Sequence, residues 1–159
     1  MRGLGIDPGT SKNNIGWAIV NNNKYVESGI LLIPQKSTGF PYKLIHIYEY
    51  LVDVIKTYNI QLLAVESFFF SKKRTGSTRI HELRGVIQLI SAQQNIKFVD
   101  TAPTTVKLFV AGSGKASKEC VAKSIATKLK VDTTNKNSHE TDAIAIAMTG
   151  YHVYTKNGK

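Results

Sequence analysis

Two short apolar segments, each ending in a carboxylate, limit most strongly what this chain can fold into. The first, Arg2–Ile6, breaks at Asp7-Pro8-Gly9, which is a turn signal. The second, Gln61–Glu66, has the continuous apolar character of a buried parallel strand. If the two strands are neighbours, Asp7 and Glu66 lie side by side at the sheet edge where α/β domains bind ligands. Taken alone, the first carboxylate fits ordinary turn chemistry equally well.

The remaining pattern predicts one α/β domain with a mixed central sheet. Segments Ile15–Val20 and Lys24–Ile33, joined by a tight turn at Asn21–Asn23, predict an antiparallel meander with the first strand. Helices are then expected from Leu44 to about Asn59, from Arg79 to about Gln93, and over Thr104–Ala111, Ser117–Lys130 and Ser138–Tyr151, with a further strand over Ile96–Asp100. This order places helices on both faces of the sheet. We expect a single domain over 1–159, with an ordered core over 1–155 and a short basic C-terminal tail.

Charge and cysteine usage narrow the class of protein. Lys and Arg number 21 against 11 Asp and Glu, a formal net charge of +10. Such an excess indicates a polyanionic partner, because each neutralised phosphate releases counterions; a solubilising surface is the alternative. Cys120 is the only cysteine, which excludes an intrachain disulfide and a Cys-based zinc site. Since no apolar run is long enough to span a bilayer, we expect a cytoplasmic protein without membrane contact.

A third carboxylate, Asp142, stands near the start of an apolar helix. Residues Ala143–Met148 are apolar nearly all round, so we expect this helix to be buried against the sheet, with Ser138 as its N-cap. His139 and Asp142 are spaced i,i+3 and share a helix face, whereas Glu140 and Asp142 point apart. We therefore prefer His139 as the fourth member of an acidic site and keep Glu140 as the alternative.

Carboxylates gathered at one sheet edge repel one another and need a cation. Oxygen ligands suit Mg²⁺ or Mn²⁺ rather than zinc. Two such ions would activate a water and stabilise the leaving oxygen of a phosphodiester displacement. We expect Mg²⁺, for which Mn²⁺ substitutes, and no small-molecule cofactor. The predicted metal-binding and catalytic residues are Asp7, Glu66, His139 and Asp142.

Basic residues in two segments are the predicted DNA contacts. Lys107, Lys115 and Lys118 surround a Gly-Ser-Gly turn, whose backbone N–H groups favour a phosphate. The second segment follows Glu66, where three consecutive phenylalanines are too costly to expose without a purpose. Cations interleaved with aromatic rings are typical of backbone tracking combined with base stacking. The predicted basic contacts of this segment are Lys72, Lys73, Arg74 and Arg79.

These blocks, in this order, resemble the RuvC Holliday junction resolvases over essentially the whole chain. The segments that carry the resemblance are Gly5-Ile6-Asp7-Pro8-Gly9-Thr10, Gly16-Trp17-Ala18, Val65-Glu66 and His139–Ala147. The stretch from Lys107 to Lys118 is similar to the family's basic segment beside the active site. Many members carry Asp where this chain has His139, while others carry His. The chain between the first two blocks is unlike the well-known bacterial enzymes, and its compact, Lys/Asn-rich character resembles the phage-encoded branch.

The resemblance implies an RNase H-like fold and a homodimer that makes paired incisions in four-way junctions and other branched DNA, such as forks, using Mg²⁺. It implies that the helix over Arg79–Gln93 builds the dimer interface. We therefore assign the apolar stripe of this helix, and Gly85, to that interface. It also implies that Phe69 stacks on a base at the crossover. Alternatives are a non-catalytic branched-DNA or RNA-binding module of the same fold, and an RNase H-like nuclease of RNA processing. Actin-like ATPases share the strand–Asp opening but need two such domains.

Overall fold

The computed structural model describes residues 1–8, 14–33, 39–67 and 77–157. The strands are β1 (Arg2–Asp7), β2 (Asn14–Asn21), β3 (Lys24–Leu32), β4 (Leu62–Glu66) and β5 (Lys97–Thr101). The helices are α1 (Phe40–Thr57), α2 (Ser77–Gln93), α3 (Pro103–Ala111), α4 (Lys118–Leu129) and α5 (Ser138–Asn157). None of the helices in these ranges is both long and apolar enough to cross a membrane.

The strands form one mixed sheet in the order β3-β2-β1-β4-β5. The first three are antiparallel, and β2 turns into β3 at Asn22 and Asn23, whose φ angles of 48° and 61° suit a two-residue hairpin turn. Strands β1, β4 and β5 run parallel, so their carboxyl ends meet at one edge of the sheet. The predicted meander and mixed sheet are confirmed.

Helices cover both faces of the sheet, as predicted. One core cluster joins α1 and α2 to residues such as Ile6 and Val65, and the other joins α3, α4 and α5 to residues such as Ala64. Side chains alternate in direction along a strand, so residues next to each other in sequence face different helices. The direction of each strand-end side chain is therefore set by this alternation.

Helix α5 packs very closely on the sheet because small residues meet at the contact. A Cβ atom on Gly5 would lie 2.4 Å from the backbone N of Ala147, and one on Gly150 would lie 2.3 Å from the Cβ of Ala64. Residues 143–150 of the helix are buried throughout. The predicted burial of this apolar helix is confirmed.

The apolar stripe of α2 packs into the protein's own core, which corrects its assignment to a dimer interface. Leu83, Ile87 and Ile90 are each no more than 5% exposed and join the cluster with α1. The opposite face of α2 is the exposed one, and Gly85 and Leu89 lie on it. Because α2 already buries this stripe against its own domain, a partner that packs on α2 must meet the exposed face.

The helix boundaries that differ most from the prediction belong to α1 and α5. Helix α1 begins at Phe40, because Pro41 is tolerated in the first turn, where its missing N–H would have no partner. Helix α5 continues past Tyr151 to Asn157, beyond the core end expected at 155. Its N-cap is Asn137 and not Ser138, since the Oδ1 of Asn137 accepts the N–H of His139 at 3.0 Å.

Candidate active site

Asp7 and Glu66 end neighbouring parallel strands and face the same side of the sheet. The residues immediately before them are paired in the register of β1 and β4. Alternation places Asp7 on the face of Gly5 and Glu66 on the face of Ala64, and both of these small residues lie under α5. The structure therefore brings the two carboxylates together at one sheet edge, beneath the same helix.

His139 joins α5 to the end of β1. Its Nδ1 atom lies 2.8 Å from Oδ2 of Asp7, and the two side chains are only 20% and 11% exposed. Gly16 makes this approach possible: it is paired with Asp7 across β1 and β2, and a Cβ there would lie 2.0 Å from the carbonyl oxygen of His139. The first turn of α5 thus rests directly on the backbone of β2, with the imidazole beside Asp7.

Asp142, the fifth residue of α5, forms an ion pair with a lysine. The Nζ atom of Lys118, the first residue of α4, donates to Oδ2 of Asp142 at 2.8 Å. This hydrogen bond raises the pKa of Lys118 above its ordinary value, so the lysine stays charged at any physiological pH. The charged ammonium group of Lys118 therefore balances the negative charge of Asp142.

The pKa of Glu66 departs far from its ordinary value. Burial, followed by repulsion from Asp7 and Asp142, raises its pKa from 4.5 to about 7, although Lys118 and Lys107 act in the opposite direction. Repulsion of this kind acts only when the three carboxylates lie near one another. A carboxyl group with such a pKa in a cleft is typical of functional sites.

The end of β4, which carries Glu66, is held by its neighbours. The Oγ1 of Thr101 donates to the carbonyl oxygen of Val65 at 3.1 Å, and this hydrogen bond is buried. The guanidinium group of Arg84 on α2 lies 3.5 Å from the carbonyl oxygen of Glu66 and is paired with Asp100. The backbone of Glu66 is therefore tied to both β5 and α2.

Glu140, the alternative fourth residue, faces away from the carboxylates. Its Oε1 accepts from Ser28 on β3 and from Lys136, each at 2.6 Å. Burial acts to raise the pKa of Glu140, but these hydrogen bonds outweigh it and lower the pKa below its ordinary value. As helical spacing predicted, Glu140 and Asp142 point apart, and it is His139 that contacts Asp7.

Two of the predicted DNA-binding lysines lie beside the carboxylates. Lys107 and Lys118 line a cavity of about 140 Å³ together with Glu66 and Asp142. Lys115 is exposed and lies outside the lining of this cavity. The arrangement brings two cations and two carboxylates around a space that admits a phosphate group.

Three backbone amides at and just after the Gly112–Gly114 turn are hydrogen-bonded within the protein, and phosphate binding by this turn stays a prediction. The N–H of Gly112, a left-handed residue with φ 77°, donates to the carbonyl oxygen of Leu108 and caps α3. The N–H groups of Lys115 and Ala116 both donate to Ser113. These three amides are used inside the turn, so its observed role is to end α3 and lead into α4.

The aromatic and basic segment after Glu66 falls outside the described residues. Phe69, Lys72, Lys73 and Arg74 all belong to it. Arg79 lies within α2, but its side chain is also outside the description. Their assignment to DNA binding stays a prediction.

The donor set at the sheet edge fits a hard divalent cation. Carboxylate oxygens from Asp7, Glu66 and Asp142 are the ligands that Mg²⁺ and Mn²⁺ prefer, and burial together with the neighbouring carboxylates makes the ionised form of Glu66 costly without a cation. With the side chains as they stand, no three His, Cys, Asp or Glu residues in the described part of the chain converge closely enough to hold an ion. Lys118 and His139 hold two of the three carboxylates in this arrangement.

Sequence reasoning missed several residues that support the site. Arg84 gave no signal, because its partners at the ends of β4 and β5 are identifiable only once the sheet is assembled. Ser28 and Tyr25 on β3 looked like ordinary strand residues, and Lys136 looked like part of a polar loop. The spacing of Lys136 and Glu140, i and i+4, was the one available signal for their ion pair.

The sequence matches one family over nearly its full length. Residues 3–150 match the model described as crossover junction endodeoxyribonuclease RuvC. The RuvC of Prochlorococcus marinus subsp. pastoris is 35% identical over 94% of this chain and 95% of its own length. The RuvC of Chloroherpeton thalassium is 32% identical over 93% of this chain and 80% of its own length.

A solved relative has the same architecture. The structure of Thermus thermophilus RuvC superposes with a TM-score of 0.85 and 23% identity, covering 99% of this chain and 97% of that chain. The same protein in complex with a Holliday junction substrate gives a TM-score of 0.83. These likenesses confirm the expected RNase H-like fold.

Proposed function

Because the chain belongs to the RuvC family, we propose that it is a structure-selective endodeoxyribonuclease that resolves Holliday junctions and other branched DNA by phosphodiester hydrolysis. The observation that carries this proposal is the gathering of Asp7, Glu66 and Asp142 at one end of the sheet, with His139 and two lysines beside them. The complex of the Thermus thermophilus relative with a Holliday junction substrate supports the choice of DNA form.

The proposed cofactor is Mg²⁺, for which Mn²⁺ substitutes. Asp7, Glu66 and Asp142, with His139, would hold it. Once bound, such ions supply an activated water and stabilise the leaving oxygen of the phosphodiester. A bound cation would also offset the effects of burial and of the neighbouring carboxylates, which together raise the pKa of Glu66.

The protein's own groups take three roles in this proposal. His139 orients the carboxylate of Asp7 and is placed to act as a metal ligand or proton carrier. Lys107 and Lys118 contact the phosphate at the cut, since both line the cavity that contains Glu66 and Asp142. Lys115, which is exposed beyond this cavity, contacts the DNA backbone further along the strand.

The segment that follows Glu66 is proposed to bind DNA whose bases are unpaired. Phe69 would stack on an unpaired base at the crossover, and the cations around it would track the backbone. These cations are Lys72, Lys73, Arg74 and Arg79. Because Glu66 ends β4 immediately before this segment, a base held there lies close along the chain to the carboxylates.

We further propose that the chain acts as a homodimer that makes paired nicks, with α2 at the interface. The exposed face of α2 carries Gly85, Leu89 and Ala92, which are spaced i, i+4 and i+7 and so form one stripe. Leu89 is 53% exposed, although it is a large apolar side chain. Small residues flanking an exposed leucine allow the close approach of a second helix.

A panel of labelled substrates tests the proposed function. We expect the purified protein with Mg²⁺ to cut a synthetic four-way junction much faster than linear duplex, and to cut forks at an intermediate rate. Faster cleavage of an RNA–DNA hybrid than of the junction would instead indicate an RNA-processing nuclease. Junction binding without cleavage in Mg²⁺ or Mn²⁺ would indicate a non-catalytic module. The phage origin and the cytoplasmic location stay predictions.

A further inference from the structure

A half-buried polar cluster lies against the first turn of α5. We call it the Lys136 cluster; it consists of Lys136, Glu140, Ser28 and Tyr25. The Nζ atom of Lys136 lies 2.6 Å from Oε1 of Glu140, 3.0 Å from Oγ of Ser28 and 3.3 Å from the hydroxyl of Tyr25. Ser28 also donates to Glu140 at 2.6 Å and lies 2.9 Å from the Tyr25 hydroxyl. The cluster thus connects β3 to the start of α5.

The burial of the Lys136 cluster makes it stronger than a surface ion pair. The side chains of Lys136 and Glu140 are 17% and 12% exposed. Exposed ion pairs contribute little to stability, whereas hydrogen bonds to charged groups that are shielded from water contribute more. Removing one charge leaves the other partly buried and unpaired, which forces the helix turn or the side chain to move.

The charged groups of the cluster are hydrogen-bonded within the protein, although Lys136 also lines a surface cavity with Lys118 and Asp142. A lysine ammonium group has three N–H donors, and Lys136 faces three acceptors within the protein. Its Nζ atom also lies 5.3 Å from the centre of the Tyr25 ring. Glu140 accepts two hydrogen bonds on the side facing β3, opposite to the carboxylates.

The cluster acts at the one turn of α5 that carries the site. Glu140 directly follows His139, whose carbonyl oxygen rests on Gly16 and whose imidazole meets Asp7. Asp142 follows two residues later. The turn is therefore fixed to β3 through Glu140 and to β1 through His139, and a shift at the first attachment moves the second.

We propose that Lys136 and Glu140 are positioning residues, which hold the first turn of α5 so that His139 and Asp142 face Asp7 and Glu66. The activity part of this proposal rests on the proposed nuclease function, but the geometric part does not. Ser28 and Tyr25 supply the anchor on β3.

The test compares Lys136→Met with Lys123→Met, a matched control that removes the same charge from an exposed lysine on α4. Long-range ¹H–¹⁵N NMR reports the ring nitrogens of His139 in metal-free, DNA-free protein, and the signal is identified by its loss in His139→Gln. We expect Lys136→Met to shift this signal, with the control unchanged. This arm needs no nuclease activity, so it stands even if the proposed function fails.

Kinetics give the second readout. We expect Lys136→Met to lower kcat on a four-way junction by about 10–100-fold, as for removal of groups that orient ligands, while the Kd for the junction matches that of the control. Adding Glu140→Met to this variant should lower kcat little further, because Lys136 and Glu140 act as a unit. Ser28→Ala, a milder change, should shift the same His139 signal and lower kcat less.

Three results would overturn the proposal. The first is an unchanged His139 signal together with wild-type kcat in Lys136→Met. The second is weaker junction binding than in the control with kcat unchanged, which would make Lys136 a phosphate contact. The third is a loss of activity equal to the unfolded fraction measured by circular dichroism, which would make the cluster purely structural. If Lys136→Met does not fold, the same criteria apply to Ser28→Ala.

Discussion

The Nδ1 atom of His139 lies 2.8 Å from the Oδ2 atom of Asp7, although 132 positions separate the two residues along the chain. The contact forms only when α5 docks on the sheet, because His139 belongs to the helix and Asp7 to the first strand. The assembly of the site therefore depends on how closely this helix approaches β1 and β2.

Removing the imidazole tests its part in the site. We expect His139→Ala to lower the apparent Mg²⁺ affinity by about 10–100-fold, since partners that ligate or orient metal ligands have effects of this size. A Mg²⁺ titration of junction cleavage measures the change, and a binding assay should show the same junction Kd as wild type. His152→Ala is the control, because His152 stacks on Phe109 about 20 Å further along α5. Equal Mg²⁺ dependence in the two variants would refute the role of His139.

The close contact at Gly16 gives a prediction about stability. We expect Gly16→Ala to destabilise the fold and to weaken cleavage, since its Cβ would lie 2.0 Å from the carbonyl oxygen of His139 and push α5 away. Gly3→Ala is the matched control in β1, where the nearest atom would be at an ordinary 3.5 Å. Urea unfolding of both variants measures the difference. If the two variants were equally stable, the inferred contact between α5 and β2 would be wrong.

The strands and helices, and the positions of the carboxylates on them, could be predicted from the local pattern of apolar residues. Short apolar runs ending at Asp7 and Glu66 predicted two strands with carboxylates at their ends, and both strands are present and adjacent. The helical spacing of His139 and Asp142 predicted which side chain would turn toward the strands. These properties depend on periods of two and 3.6 residues, which are visible in sequence.

The contacts between elements that are distant along the chain could not be predicted from the sequence. The stripe of α2 was assigned to a partner subunit, but Leu83 and Ile87 pack into the domain itself. Periodicity shows that a face is buried and not what buries it. The anchoring of Glu140 to Ser28 on β3 depends on the position of α5 across the sheet, and no local pattern encodes it.

The raised pKa of Glu66 predicts how stability depends on pH. Between its ordinary value of 4.5 and about 7, the folded protein keeps a proton that the unfolded chain has released, so stability falls as pH rises through this range. We expect Glu66→Gln to stabilise the metal-free protein at pH 8 and to have little effect at pH 5. Thermal unfolding in EDTA at the two pH values measures this, and excess Mg²⁺ should reduce the difference.

Glu119→Gln is the control for Glu66. Glu119 is exposed, and a hydrogen bond from Ser117 lowers its pKa, so its loss should slightly destabilise the protein at pH 8. A destabilised Glu66→Gln protein at pH 8 without metal would contradict the inferred cost of burying a charged Glu66 beside the other two carboxylates.

Dimer formation through α2 is tested at Leu89. We expect Leu89→Arg to shift the protein from dimer to monomer, because an arginine on the stripe of Gly85 and Ala92 leaves a charge unpaired at the interface. Leu108→Arg is the matched control, since Leu108 is 58% exposed on α3. Sedimentation velocity at micromolar concentration, with and without junction DNA, measures the state. A wild-type protein that stayed monomeric under both conditions would exclude the dimer.

The most direct test of the proposed active site is cleavage of a four-way junction by Asp7→Asn in Mg²⁺. Asparagine keeps the shape of Asp7 and an oxygen for His139, but it removes the negative charge that a metal ion requires. The binding assay should give nearly the wild-type Kd for the junction, since the lysines are untouched. We predict that wild type makes paired nicks and that Asp7→Asn binds the junction without cutting it. Cleavage by Asp7→Asn at the wild-type rate would show that the carboxylates at this sheet edge are not the active site.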